Sequence, residues 1–166
     1  PESINELTCL AIIASIHEYE NQLDSAASYL KKAFEINRTV KLSKWGWLYF
    51  LNGNVLRKLK QYDLAMYNYK LALTLVAYKD IIETYNGISI LYQETGKIDS
   101  SIFYAREVID KWSFVSYRKG ILQAANTLAE LYKQKDQRDS VIKYLELGIS
   151  LNKSMYGQQN ERDIQS

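Results

Sequence analysis

Gln61-Tyr62-Asp63-Leu64-Ala65 decides the fold, because the same short pattern occurs at three other places in the chain. Its companions are Gln22-Leu23-Asp24-Ser25-Ala26, Lys97-Ile98-Asp99-Ser100-Ser101 and Gln137-Arg138-Asp139-Ser140-Val141. Each follows a polar break and sets an Asp two residues before a small or β-branched residue. The aspartates stand at 24, 63, 99 and 139, so they lie 39, 36 and 40 residues apart. Seven residues after the small position come Ala33, Ala72, Val108 and Gly148, at the same three spacings. Self-similarity at such a period marks a repeat architecture.

Helical periodicity flanks each break. Tyr85, Ile88, Ser89 and Tyr92 follow the i, i+3, i+4, i+7 rule before one Asp, and Ala65, Tyr69, Ala72 and Leu75 form a stripe after another. The Asp is expected as a helix N-cap, its carboxylate accepting orphan N–H groups of the first turn. Gly96 is expected as a helix C-terminal glycine with positive φ. The resulting unit is helix, short turn, helix. Eight helices are predicted, over about 4–20, 23–38, 44–59, 62–78, 80–95, 99–112, 117–135 and 138–154. Small residues at the two marked positions let neighbouring helices approach closely. One pair cannot bury its apolar face alone, whereas stacked pairs can.

Composition agrees with long helices. Pro1 is the only proline, and 7 glycines are spread over 166 residues, so few positions break a helix. Folding at this length buries roughly 70% of the surface of the open chain, enough for one domain. The formal charge of +2, from 21 Lys and Arg against 19 Asp and Glu, gives no reason to expect phosphate-dominated binding. Arg57, Lys58 and Lys60 are the densest basic group, and the tyrosines between basic residues fall on packing positions, so no nucleic-acid partner is expected. The single cysteine, Cys9, excludes an internal disulfide and a cysteine-based zinc site. No apolar run reaches the length of a membrane span, so no membrane contact is expected. The chain opens Pro1-Glu2 without Met or a basic segment, and reads as a processed or excised piece.

Asn126-Thr127-Leu128-Ala129-Glu130-Leu131-Tyr132-Lys133-Gln134-Lys135-Asp136, followed by Val141, Leu145 and Gly148, resembles a tetratricopeptide repeat. Tyr49, Gly53, Tyr62, Ala65, Tyr69 and Ala72 match the motif most clearly. Tyr85, Ser89, Tyr92, Gly96, Ser101 and Val108 follow it with weaker small residues, and Leu10, Ala14, His17, Ala26, Leu30 and Ala33 take the same places in the first copy. The resemblance implies an all-α solenoid, an α-α superhelix of about four repeats over 4–40, 43–79, 80–115 and 117–155. The closing proline is absent, and the spacing exceeds the usual ~34 residues. Each second helix is therefore expected to run on by about one turn.

No catalytic or metal constellation emerges, and no cofactor is implied. His17 stands at a packing position, and a general-base role would require partners the sequence does not supply. Cys9, on an apolar stretch, reads as a buried inert thiol rather than a nucleophile. No glycine-rich phosphate loop occurs among Gly46, Gly53, Gly87 and Gly96. The chain is not read as an enzyme.

The resemblance instead implies a concave groove lined by the first helix of each repeat, holding a protein or peptide. Carried onto this chain, its positions are Thr8, Ala11, Ser15 and Glu18, then Trp47, Phe50, Asn54 and Arg57. They continue as Glu83, Asn86, Ile90 and Gln93, and as Gln123, Asn126, Glu130 and Lys133. Amides at Asn54, Asn86 and Asn126 suit backbone recognition. Trp47 and Phe50 are either ligand anchors or packing groups against the preceding helix. Ala11 and Ser15 stand where carboxylate-clamp modules place cationic and amide groups, so that subclass does not fit.

Residues 1–156 are thus assigned to the solenoid and 157–166 to a polar tail. The stretch from Leu151 to Gln165 is similar to the end of the sensor region in Bacteroidetes-type signalling proteins, both histidine kinases and helix-turn-helix regulators, where a linker helix follows. That resemblance implies a sensory or regulatory domain, compatible with a homodimer, periplasmic or cytoplasmic, in a parent anchored to the inner membrane. The alternative is a stand-alone scaffold for a protein complex.

Overall fold

The computed structural model describes the backbone of residues 2–40, 45–75, 78–113 and 116–165, and the side chains of 3–39, 45–75, 80–113 and 116–156. The described residues form eight helices and no strand. They are α1 (Glu2–Tyr19), α2 (Leu23–Val40), α3 (Gly46–Lys58), α4 (Tyr62–Leu73), α5 (Tyr78–Glu94), α6 (Ile98–Trp112), α7 (Arg118–Gln134) and α8 (Arg138–Gln165). The all-α helical-repeat fold expected from the periodicity is the fold observed.

The four turns inside the pairs are built alike. Asn21, Lys60, Gly96 and Asp136 take left-handed φ values of 59°, 60°, 72° and 53°. At each, the next residue donates its N–H five residues back, as in Gln22 to His17 (2.8 Å), Gln61 to Leu56 (2.8 Å), Lys97 to Tyr92 (2.8 Å) and Gln137 to Tyr132 (3.0 Å). This is the Schellman closure, which satisfies carbonyls at the end of the first helix. The expected glycine turn at Gly96 is therefore present, and three non-glycine residues do the same work elsewhere.

The aspartates do not cap. The carbonyls of Gln22, Gln61, Lys97 and Gln137 accept the first bonds of the second helices, from Ala26, Ala65, Ser101 and Val141. Asp24, Asp63, Asp99 and Asp139 sit in the first turn instead, and the caps Gln61 and Lys97 make no side-chain bond. The chain emerges from the left-handed residue directly into the cap, which places each Asp two residues past it, too late to cap but where the helix dipole favours its charge.

The second helices differ in length. α2 runs on to Val40, but α4 stops at Leu73 rather than continuing to 78. There Thr74 Oγ1 donates to the Leu71 carbonyl at 2.7 Å, offering the backbone a local alternative to another turn. α8 instead continues through Gly157 to Gln165, beyond the expected end near 154.

The chain divides into two compact units, Pro1–Gly87 and Ile88–Ser166, with the division inside α5. In the first unit, Leu7, Ala11 and Ala14 of α1, Ala26, Leu30 and Ala33 of α2, and Leu48, Leu51 and Val55 of α3 form one core. The small positions 14 and 26 are fully buried, as close helix approach requires. Tyr69 of α4 is also fully buried. A Cβ at Gly53 would lie 2.6 Å from its ring, and one at Gly87 2.9 Å, so both glycines make room for it. Its hydroxyl donates to Asn54 Oδ1 at 2.7 Å.

In the second unit, Ser89 and Ser101 occupy the small positions and donate to each other's carbonyls at 2.9 and 2.8 Å. Tyr92 stacks on Tyr104 at 5.5 Å and Tyr132 on Tyr144 at 5.6 Å. His17 and Tyr29 form the same stack in the first unit at 5.3 Å, with His17 Nδ1 2.6 Å from Gln22 Oε1. The histidine packs. Leu56 and Asn68 hold these places in the second pair, where Asn68 accepts from Asn52 Nδ2 at 2.9 Å.

Candidate functional site

Helical spacing brings Ser15, Ile16, Glu18 and Tyr19 of α1 beside Trp47, Phe50, Leu51 and Asn54 of α3, around a pocket of about 380 Å³. Positions 47, 50, 51 and 54 fall on one face by the i, i+3, i+4, i+7 rule. Five residues expected in the groove, Ser15, Glu18, Trp47, Phe50 and Asn54, thus share one site.

Its floor is fixed by the core. Trp47 packs against the first-unit cluster and meets Trp45 edge-on at 6.0 Å. Phe50 lies tilted against Tyr69 with centroids 6.3 Å apart. Both aromatic side chains remain half-buried, so they pack and also line the pocket. Asn54 accepts from Tyr69, which orients its amide. One edge is held by charge, because Lys58 Nζ lies 2.6 Å from Glu18 Oε1 and 2.7 Å from the Glu18 carbonyl. Lys58 is another residue of this edge that the sequence left unassigned. The arrangement offers an apolar floor, one amide and a paired charge, which suits binding of a side chain and a peptide group.

The other expected groove residues lie elsewhere. Ala11 is fully buried, and Asn86 is 2% exposed. The register of α5 turns Ile82, Asn86 and Ser89 inward, so Asn86 presents no amide at the surface. Arg57 and Glu83 are half-buried outside the pocket in the first unit, as are Ile90 and Gln93 in the second. Gln123, Asn126 and Glu130 of α7 line a separate hollow of about 290 Å³ with Lys119, Leu122 and Thr127. Lys133 lies at another, near the α7–α8 turn.

Two further differences concern residues the sequence placed inside or overlooked. Cys9 is exposed, because Leu7, Ala11 and Ala14 form the inward face of α1 and Cys9 falls outside it. A hollow of about 550 Å³ between α2 and α3, lined by Lys31, Phe34, Glu35, Asn37, Arg38 and Tyr49, was not anticipated. Phe34 and Tyr49 meet edge-on there at 5.2 Å, and this contact between repeats leaves no local signal in sequence. Among the described residues no cluster of three His, Cys, Asp or Glu could hold a metal, and no helix is long and apolar enough to cross a membrane.

Residues 7–40 and 122–155 match the family model of the tetratricopeptide repeat. These two segments carry the tetratricopeptide repeat, within a helical-repeat fold that spans the described residues. The two matched segments are the α1–α2 and α7–α8 pairs. The crystal structure of BtubC (BKLC) from P. vanneervenii superposes with a TM-score of 0.75 at 14% identity over 91% of this chain, which spans 65% of BtubC. The crystal structure of MamA gives 0.66 at 16% identity, covering 91% of this chain and 81% of MamA. At such identities the likeness is one of fold. The comparison with curated proteins gave no match. Tetratricopeptide repeats generally serve as non-catalytic modules that bind proteins or peptides.

Proposed function

We propose that this chain is a peptide-binding tetratricopeptide module whose principal recognition site is the α1–α3 pocket, and that it acts as the sensory or regulatory domain of a bacterial signalling protein. The observation that carries the binding reading is the convergence of Ser15, Glu18, Trp47, Phe50 and Asn54 around one pocket. Trp47 and Phe50 take an apolar side chain of the ligand. The Asn54 amide, oriented by Tyr69, makes no other hydrogen bond among the described residues and is available to a ligand backbone. The Glu18–Lys58 pair rims the pocket and disfavours ligands with a charge at that point. The α7 hollow around Asn126 and Glu130 is a second contact area. The signalling part of the reading rests on the resemblance of the segment from Leu151 to Gln165. Ligand binding would act on an output domain by biasing the helix that follows.

Selection from a displayed peptide library, followed by calorimetry, tests the site. Trp47→Ala is expected to weaken the selected peptides at least ~20-fold, the range of an aromatic anchor, with an unchanged helical spectrum. Equal affinity for wild type and Trp47→Ala would overturn the assignment.

A further inference from the structure

Two helices carry apolar residues on faces left exposed among the described residues, Ile16 lying where one of these faces meets the edge of the α1–α3 pocket. On α1 they are Cys9, Ile12 and Ile16, with the isoleucines 48% and 50% exposed. On α8 they are Ile142, Leu145 and Ile149, 54%, 50% and 57% exposed.

The repeat register identifies both faces. Cys9, Ile12 and Ile16 occupy the positions of Leu48, Leu51 and Val55 on α3, which are at most 2% exposed. Those three residues form the face of α3 that shares a core with Leu30 and Phe34 of the preceding α2. Ile142, Leu145 and Ile149 occupy the positions of Ile102, Ala105 and Ile109 on α6, which pack with Leu128 and Ala129 of the following α7. They also match Ala27, Leu30 and Phe34 on α2. α8 therefore carries the face a second helix turns to the next repeat, and α1 carries the face a first helix turns to the previous one.

We infer that a second copy of this chain docks head to tail, its α1 face on the α8 face of the first. The contact continues the α2–α3 and α6–α7 junctions in the same register, with Leu145 and Ile12 sharing a core as Leu30 and Leu51 share that of the first unit. A single chain supplies both halves, and the contact is heterologous, so one junction leaves a free face at each end for further copies. The charges make it reversible. At the α6–α7 junction Lys135 Nζ pairs with Asp99 Oδ1 at 2.6 Å. The equivalent positions between copies are Glu20 and Asp139, two carboxylates, which weaken the contact at low salt.

Sedimentation velocity of the full chain, over a concentration series into the millimolar range, tests the proposal. The wild type is expected to show concentration-dependent species larger than a dimer. Ile12→Glu, which lies outside the peptide pocket, and Ile149→Glu each leave one intact face and are expected to be monomeric alone. Their equimolar mixture is expected to form a dimer and nothing larger. Ile142→Glu replaces Ile149→Glu should the latter lose its helical spectrum. Glu20→Lys is expected to tighten association severalfold by restoring the ion pair with Asp139. A monomeric wild type at every concentration, association of either single variant, failure of the mixture to associate, or weakening by Glu20→Lys would each overturn the inference. None of these readings depends on peptide binding.

Discussion

At one repeat position the first unit places Tyr69 and the second places Ala105, and both are fully buried. The neighbours compensate. Tyr69 is flanked by Gly53 and Gly87, whereas the repeat offsets set Ser89 and Thr127 at the corresponding positions of the second unit. One unit carries a large ring with two glycines at these repeat positions, and the other an alanine with two small hydroxyl residues. The first solution relies on ring burial and the second on the reciprocal Ser89–Ser101 hydrogen bonds. The large ring thus goes with two residues that lack a side chain, and where the ring is replaced by alanine those positions carry side chains.

The sharpest way to break that comparison is at the ring. Tyr69→Ala is expected to destabilise the fold by about 3–5 kcal/mol in chemical denaturation, since it empties a walled site and strands Asn54. Gly53→Ala is expected to cost about 2 kcal/mol through overpacking, and Ser89→Ala about 1 kcal/mol through its lost hydrogen bond. Equal losses at 53 and 89 would show that the two slots are not different solutions. The turns come next. Gly96→Ala in the second unit is expected to lose about 1 kcal/mol, and Lys60→Gly in the first to gain about as much, because only glycine adopts the left-handed conformation without penalty. Thermal unfolding of both variants checks the sign.

The smallest effect concerns pH. Burial, reinforced by Tyr132 and Asp110 and opposed by Arg106, raises the Tyr144 phenol above its ordinary 10.0. A raised folded value favours the neutral ring in the native state. Its contribution is complete below about pH 10 and is lost as pH rises through the folded value. Tyr144→Phe is expected to flatten the alkaline fall in stability, measured by urea unfolding at pH 9 and above.

Much of the fold was legible because it is local. Helix spacing, the small residues at 14, 26, 89 and 101, and the turn at Gly96 all follow from periods of a few residues. The left-handed turns at Asn21, Lys60 and Asp136 were less legible, since Asn and Asp only tolerate that conformation and Lys gives no sign of it, and the nearby aspartates were read as caps instead. The pocket was legible in part. Ser15, Glu18, Trp47, Phe50 and Asn54 could be placed from the motif, but Asn86 could not. A rotation of one residue in helical register carries an amide from solvent into the core, and next to Asn86 it is Gly87 that faces the Tyr69 ring of the preceding helix. Cys9 was placed inside although it is exposed, and the hollow at Phe34 and Tyr49 was missed, because contacts between repeats join residues that no short window contains.

The turns within the pairs leave three residues between helices every time, at 20–22, 59–61, 95–97 and 135–137, while the second helices differ, with 12 residues in α4 against 18 in α2. Differences in length among the repeats of this chain therefore lie away from the elbows. The hairpin with its fixed elbow is the natural unit for shuffling: a graft that cuts between hairpins would transplant a working piece, and a graft that cuts at the elbows would not.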